Sequence, residues 1–576
     1  MENHEIARLL SETADLMEIG GEDGFRIRSY RNAASVILGY PERVADIACN
    51  PDRKLTEIAS IGKGLAAVIG EICQRGSFDK RDQLLERYPP TALEFLKIQG
   101  LGPKSIALIF EHFRITTMDE LERLCREQKL RDLPRMGAKL EEKVLRSIGQ
   151  YRQSAGRFLM SFAHRTAAEL TEYLSETPGL ETIEAAGSLR RGRETVGDLD
   201  LLVTGPGAGA AMERFATHPR ATEVLGRGVN KTSIRFGIEG IQVDLRALAP
   251  ENRGAALQYF TGSKEHNVGL RTRAIRMGLT LNEYGLFRTE DNARVAGENE
   301  AGVYEALGLP WIEPELRENC GEIDAALEGR LPKLVQASQI RGDLHMHTTE
   351  TDGRATLEEM AEAARALNYE YIAITDHSKA LAMANGLDEE RVVAFARRVR
   401  ELNREGGLGI RIFSGIECDI RRDGAMDLAE DALAELDIVI GSVHSYMNLE
   451  ASEMTDRLMR ALESPSIRIL GHPTGRMLLH REPYPFDFDR IAGEAVRRRI
   501  ALEINSSPER LDLGGAMVRV AKAKGARFVI STDAHHPRHL LNMPLGVTTA
   551  RRGWLEESDV LNTMTADGLL EELRRK

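Results

Sequence analysis

From residue 340 onward this chain repeats one pattern, and the pattern leaves few folds open: a short apolar run that ends in a histidine or an acid. The runs read Ile340-Arg-Gly-Asp-Leu-His345-Met-His347, Tyr371-Ile-Ala-Ile-Thr-Asp376-His377, Ile412-Phe-Ser-Gly-Ile-Glu417, Ile438-Val-Ile-Gly-Ser-Val-His444, Ile467-Arg-Ile-Leu-Gly-His472 and Phe528-Val-Ile-Ser-Thr-Asp533-Ala-His535. Six of the chain's fourteen histidines lie on it. Short β-branched runs separated by helix-length segments predict βα units around a parallel sheet. A barrel of such units exposes all its strand carboxyl ends at one face, so residues far apart in sequence meet there. His345 and His347 stand at i and i+2 and so share one side of their strand. Imidazole and carboxylate together suit Zn²⁺, Mn²⁺ or Fe, and the pattern predicts a multinuclear metal site.

Those motifs resemble the PHP domain, a phosphoesterase family on a distorted (βα)₇ barrel. The resemblance implies a ligand set of His345, His347, Asp352, His377, Glu417, His444, His472, Asp533 and His535, holding up to three ions of Zn²⁺, Mn²⁺ or Fe. Ile500-Ala-Leu-Glu-Ile-Asn505 supplies the seventh strand. Such ions turn water into a nucleophile at neutral pH and neutralise phosphate oxygens, so the chemistry implied is phosphoester hydrolysis.

A second constellation lies upstream, in Ile183-Glu-Ala-Ala-Gly187-Ser188-Leu-Arg190-Arg191-Gly-Arg-Glu-Thr-Val-Gly197-Asp198-Leu-Asp200-Leu-Leu-Val203. Gly187-Ser188 follows an apolar run, as a glycine turn that approaches phosphate should. Asp198 and Asp200 face the same way on the next strand, and Asp244 sits in the alternating run Ile241-Gln-Val-Asp-Leu-Arg246. Three converging carboxylates repel one another unless cations hold them. They suit two Mg²⁺ or Mn²⁺ ions between a 3′ oxygen and a triphosphate.

These residues, with Tyr259-Phe260-Thr-Gly262-Ser263 after them, resemble the nucleotidyltransferase palm of the family X DNA polymerases. The resemblance makes Asp198, Asp200 and Asp244 catalytic. It places Gly187, Ser188, Arg191, Gly197 and Arg157 on the triphosphate, Tyr259, Phe260 and Gly262 beside the sugar, Asn267 on the base edge and Arg271 on the template strand. Two positions depart from the family pattern. Gln242 stands where eukaryotic repair members carry an Arg, and Lys264 stands where an acid is common. Lys264 is expected to bind nucleotide before DNA.

Residues 1–150 read as helices punctuated by glycine. Ile58-Ala-Ser-Ile-Gly62-Lys-Gly64, Ile98-Gln-Gly100-Leu-Gly102-Pro-Lys104 and Leu133-Pro-Arg-Met-Gly137-Ala-Lys139 each precede an amphipathic helix. They resemble helix–hairpin–helix elements, whose glycine turns bring backbone N–H groups to a DNA phosphate; Gly100, Gly102 and Lys104 form the strongest copy. Phe25-Arg26-Ile-Arg28-Ser-Tyr30-Arg31 resembles the small domain that grips the 5′ side of a gap, through Arg26, Arg28, Tyr30 and Arg31. In repair members of that family a lysine after the first hairpin forms a Schiff base with an abasic sugar. Val68 occupies that position here and cannot, so weak or absent lyase activity is expected.

The chain is too long for one core. The expected architecture is multidomain α+β and α/β: a small helical DNA-end domain at 1–88, fingers at 89–155, palm at 156–255, thumb at 256–317, a linker at 318–339 and a PHP barrel at 340–576. Absence of a long apolar run argues against a membrane span. Five scattered cysteines suit a reducing, cytoplasmic setting, and the expected location is cytoplasmic and nucleoid-associated. A net charge of −12 leaves DNA binding to local basic surface. The expected protein is a monomer that takes dNTPs and gapped or primer-template DNA, fills short gaps in repair, and trims 3′ ends with its barrel, with abasic-site cleavage as a further activity. The alternative is a barrel that hydrolyses small phosphate esters or pyrophosphate, or is mainly structural.

Overall fold

The computed structural model describes residues 1–574 apart from 2, 41, 51, 52, 59, 135 and 155; of the hairpin motifs, Ala59 and Arg135 lie outside the described residues. The chain forms two compact units, 1–155 and 156–576.

The first unit is helical. Helices Asn3–Ile19, Gly24–Gly39, Lys63–Arg75 and Pro103–Phe113 turn their apolar stripes onto one core that includes Leu10, Ile37, Ile69, Ile72, Phe95 and Ile106. Gly102 begins the helix Pro103–Phe113 with no side-chain cap, and Lys104 is exposed in its first turn. That leaves the first N–H groups of the helix to another partner. Gly100 has φ +99°, and a Cβ there would lie 2.7 Å from the Leu140 side chain, so this hairpin requires glycine.

The second unit begins with a five-stranded sheet in the order Thr182–Ala185, Asp198–Thr204, Ile241–Leu248, Lys231–Phe236, Ala221–Arg227. Its central pair is parallel, with Asp198 opposite Gln242 and Asp200 opposite Asp244. Strand alternation sends Leu199, Leu201 and Val203 into a core with Met160, Leu170 and Phe215 of two covering helices, which leaves the aspartates on the other face. Helices Arg253–Thr261 and Lys264–Arg276 follow, then a three-stranded antiparallel sheet, Leu279–Asn282, Gly285–Arg288 and Arg294–Ala296. The stretch 318–339 departs from the expected linker. It carries the helix Glu322–Leu327, packs Ala326 and Leu334 into the same core as Leu270 and Tyr304, and buries Glu322 2.6 Å from His266 Nδ1.

The remainder is a sheet of seven parallel strands that pair in sequence order: Gly342–Asp343, Tyr371–Ile374, Arg411–Asp419, Ile438–Ser442, Ile469–Leu470, Ala501–Asn505 and Phe528–Ser531. A bridge between Met346 and Ala534 joins the ends of the first and last strands, and Asp343 accepts from the Thr532 N–H at 3.1 Å beside them. The two-residue strands make the closure uneven, and His345 and His347 stand just beyond the first of them. Among the described residues no helix is long and apolar enough to cross a membrane.

Candidate active sites

In the palm, the register of the central strands sets Asp200 beside Asp244, with Asp198 one alternation outward and exposed. Asp244 is buried. Burial favours its neutral form, but Lys231 (Nζ to Oδ2, 2.6 Å), Ser233 and Gln242 (Nε2 to Oδ1, 3.1 Å) outweigh that and hold it below the usual carboxylate range. Asp200 is pushed up to about 6, first by burial and then by the charge of Asp198. Arg246 bridges the pair, 3.8 Å from Asp200 and 3.7 Å from Asp244, and stacks on the Phe260 ring at 4.2 Å. Gly187 has φ +64°, and a Cβ would lie 2.9 Å from Asp200 Oδ2. Glycine therefore lets the Gly187–Arg190 turn press against the acids.

Of the residues expected around a nucleotide, Arg191 caps this turn and Gly262 lies against it. Arg157 is tied to Thr195 (Nε to Oγ1, 2.8 Å), and Arg191 donates from Nε to Glu318 at 3.2 Å and from Nη1 to the Thr261 carbonyl. Gly262 packs on that guanidinium. Tyr259 and Phe260 meet edge to face at 5.1 Å. Lys264 is exposed at the start of its helix, and Arg271 is exposed on the same face about two turns on. Asn267 is held by its neighbours. It is buried, its Nδ2 donates to the Tyr259 carbonyl at 2.7 Å, and its Oδ1 accepts from Gln258 at 2.7 Å. Asn267 here braces the Tyr-Phe segment.

Sequence reasoning missed Lys231 and the ion-pair network behind the turn. Glu300 accepts from Arg190, Arg317 and Trp311 at 2.6–2.8 Å, and these partners outweigh burial and hold its carboxyl down at about 2. Only the antiparallel register brings Lys231 to Asp244, so no local pattern could have found it.

In the barrel, all nine expected ligands converge at the carboxyl ends of the strands. Glu417 is the hub. Its Oε1 lies 2.8 Å from His472, 3.3 Å from His444 and 3.5 Å from His345, and its Oε2 lies 2.8 Å from His377 and 3.7 Å from His347. Asp533 stands 3.2 Å from His347 and 3.6 Å from His345; Asp352 stands 3.5 Å from His377 and 3.6 Å from His535. The donors form three overlapping groups, each with atoms within 4.8 Å of one another: His347, Asp352, His377 and His535; His345, His347 and Asp533; His377, Glu417 and His444.

This donor set fits metal. His345 Nε2 and both His347 nitrogens are buried without a hydrogen bond, which is costly for polar atoms unless a cation takes them. Burial, reinforced by His535 and His377, drops the His347 pKa to about 3, so its imidazole stays neutral. His377 and His444 rise, against burial, to about 10 and about 9 because Glu417 attracts their protons. A cation would compete with those protons for the same carboxylate. Asp533 (φ +54°) and His472 (φ +24°) sit in sparsely populated backbone, as ligand-bearing residues often do.

Behind the ligands stand acids absent from the expected set. Glu503 accepts from His345 Nδ1 at 2.7 Å and from the His472 backbone N–H at 2.6 Å. Asp419 lies 3.2 Å from His444 Nδ1, and Asn505 donates to Asp533 at 3.0 Å. A carboxylate on Nδ1 fixes the tautomer that presents Nε2 to a metal. Glu503 did leave a signal: it is an acid inside the apolar run Ile500–Asn505, at a position that faces inward.

Comparison with known proteins gives three family matches: DNA polymerase beta thumb over residues 256–318, a helix-hairpin-helix domain over 1–78 and the PHP domain over 343–507. The DNA polymerase/3′-5′ exonuclease PolX of Bacillus subtilis (strain 168) is 36% identical over 582 residues, covering 100% of both chains. A probable phosphatase of Shewanella sp. (strain ANA-3) is 30% identical over 34% of this chain and 75% of its own. Among solved structures, polymerase beta of Leishmania infantum aligns over 39% of this chain and 99% of its own at 23% identity, with a TM-score of 0.27.

Proposed function

Because the chain belongs to the family X DNA polymerases that carry a C-terminal PHP domain, we propose that it fills short gaps during DNA repair and edits 3′ ends with its barrel. It is a DNA polymerase joined to a 3′-5′ exonuclease. The observation that supports assigning one activity to each site is the presence of two separate donor clusters, one of carboxylates on the palm strands and one of imidazoles and acids at the barrel mouth.

Asp198, Asp200 and Asp244 would hold Mg²⁺ or Mn²⁺, and the nine barrel ligands up to three ions of Zn²⁺, Mn²⁺ or Fe. Bound there, such ions neutralise phosphate oxygens and favour deprotonation of the attacking hydroxyl or water. The chain's own residues do the rest. Lys231 and Arg246 temper the repulsion among the palm acids. Gly187, Ser188, Gly197 and Arg157 line the triphosphate path, with Arg191 offering Nη2, which makes no hydrogen bond among the described residues. Tyr259, Phe260 and Gly262 crowd the sugar, and Lys264 lies where it meets nucleotide before DNA. Arg271, the Gly100–Lys104 hairpin, Arg26, Tyr30 and Arg31 take DNA backbone. In the barrel, Glu503 and Asp419 orient His345 and His444. The barrel also cleaves at abasic sites by the same phosphodiester chemistry, while Val68 supplies no amine at the lyase position, which leaves lyase activity weak or absent.

The test is a gel assay on gapped, primer-labelled DNA with Mn²⁺, with and without dNTPs. Asp198→Ala/Asp200→Ala should lose only extension and His345→Ala/His347→Ala only degradation, each by roughly 10³-fold or more. The barrel's likeness to a probable phosphatase favours a second reading, a small phosphate ester as substrate. Normal primer degradation by the histidine variant, with loss of phosphatase activity on a small ester, would select it.

A further inference from the structure

The turn that carries Arg191 is braced by the barrel. Arg552, the last residue of the barrel helix Met543–Arg552, donates from Nη1 to the Arg191 carbonyl at 2.6 Å and to Glu318 Oε1 at 3.0 Å. The same Glu318 oxygen accepts from Arg191 Nε at 3.2 Å and lies 3.8 Å from Arg193. All three of Arg552, Arg191 and Glu318 are mostly buried. One turn earlier on that helix, Thr548 faces Gly192, where a Cβ would lie 2.2 Å from the Thr548 methyl, so only glycine admits the helix so close. Arg476 of the barrel pairs with Glu194 at 2.8 Å, and Leu511 of the barrel is fully buried in the palm's apolar core. The contact is therefore packed as well as charged.

From this geometry we infer that Arg552 and Glu318 are positioning residues for the polymerase: through them the barrel holds the Arg191 guanidinium at the nucleotide site. Arg552 fixes the backbone of Arg191 and orients Glu318. Glu318 in turn takes Nε, and the Thr261 carbonyl takes Nη1, so the guanidinium plane is set with Nη2 outward. A long side chain held at two nitrogens loses little further entropy when it meets a phosphate. The barrel thereby sets the affinity of the palm for an incoming nucleoside triphosphate, apart from its own hydrolysis.

The inference rests on the reading of Gly187–Arg191 as the triphosphate cradle, and Arg191→Ala tests that reading separately. Single-nucleotide gap filling by the full-length protein should show the KM for dNTP raised about tenfold in Arg552→Ala and in Glu318→Gln, with kcat within about twofold. Arg552→Lys, which keeps a donor for both acceptors, should recover part of the loss. Degradation of primer without dNTP should stay at the wild-type rate. If Arg191→Ala raises KM but neither Arg552→Ala nor Glu318→Gln does, the positioning role is wrong. If Glu318→Gln lowers KM, Glu318 competes with phosphate for Arg191, and the role is again wrong. If Arg191→Ala itself leaves KM unchanged, the cradle reading fails first. Equal loss of extension and degradation in Arg552→Ala, without a KM change in Glu318→Gln, would reduce Arg552 to a folding contact.

Discussion

The palm holds two of its three carboxylates beside protein cations: Lys231 stands 2.6 Å from Asp244, and Arg246 reaches both Asp200 and Asp244. The barrel surrounds its acids with imidazoles instead, five of them within 4 Å of Glu417, and the guanidinium of Arg510 comes only to 3.8 Å from Asp533. Lysine and arginine cannot ligate a metal; they substitute for part of its charge. On the proposed reading, a palm so arranged would bind ions best when a triphosphate completes their shell. A barrel with nine convergent donors and buried unbonded nitrogens would complete the shell alone. One site would then borrow its metals with the substrate, and the other would keep them.

The largest effect that would break this contrast is metal removal. Dialysis against a chelator should abolish degradation, and the barrel should then unfold at lower temperature, since a site filled at about 100 times its Kd contributes about 2.7 kcal/mol. Returned Mg²⁺ should restore extension within mixing time. His345→Ala/His347→Ala should already have lost the chelator-sensitive part of the stability, whereas Asp198→Ala/Asp200→Ala should retain it. A calorimetric scan that shows no change on chelation would place both sites in the borrowing class.

Next in size is the second layer of the barrel. Glu503 orients His345 and fixes the His472 backbone, so Glu503→Gln should cost roughly 10- to 100-fold in metal affinity or degradation. Extension should be unaffected. If metal content by elemental analysis and degradation both match wild type, Glu503 supports only the strand, and the imidazoles alone make the site.

The same contrast explains what the sequence disclosed. Ligands at strand ends, Asp352 apart, are legible because each follows an apolar run, and Asp198 with Asp200 is legible because strand alternation is local. Lys231, Arg246 and Glu503 were hidden for opposite reasons. Lys231 reaches Asp244, and Arg246 reaches Asp200, through pairing between strands, which no spacing encodes; Arg246 shares a face with Asp244 by alternation alone. Glu503 was in plain view, but a strand-forming run draws attention to its apolar residues. The segment 318–339 read as a linker because its anchor, the buried His266–Glu322 pair, spans 56 residues. The bonds of Asn267 to Tyr259 and Gln258 were hidden as well, since they follow from packing between helices.

The smallest effect separates the two regions by pH. Glu300 ties the palm turn to the thumb through Arg190, Arg317 and Trp311, with the Tyr304 ring also against Arg317. Its carboxyl is held down at about 2 although burial opposes the charge, because two guanidinium groups outweigh that cost. A group whose folded pKa is depressed stabilises above its unfolded value and loses that contribution as pH falls through the folded one. The contribution of Glu300 is thus complete above about pH 5 and drains away toward pH 2. Glu300→Gln keeps neutral hydrogen bonds and removes the charge, so it should destabilise the folded state by about 2 kcal/mol near neutrality. The gap from wild type should close as pH is lowered toward 2. Denaturant unfolding across that range reads it directly. A gap that stays constant with pH would mean that Glu300 acts by shape, and that the palm turn is anchored by packing, as the barrel mouth is by its strands.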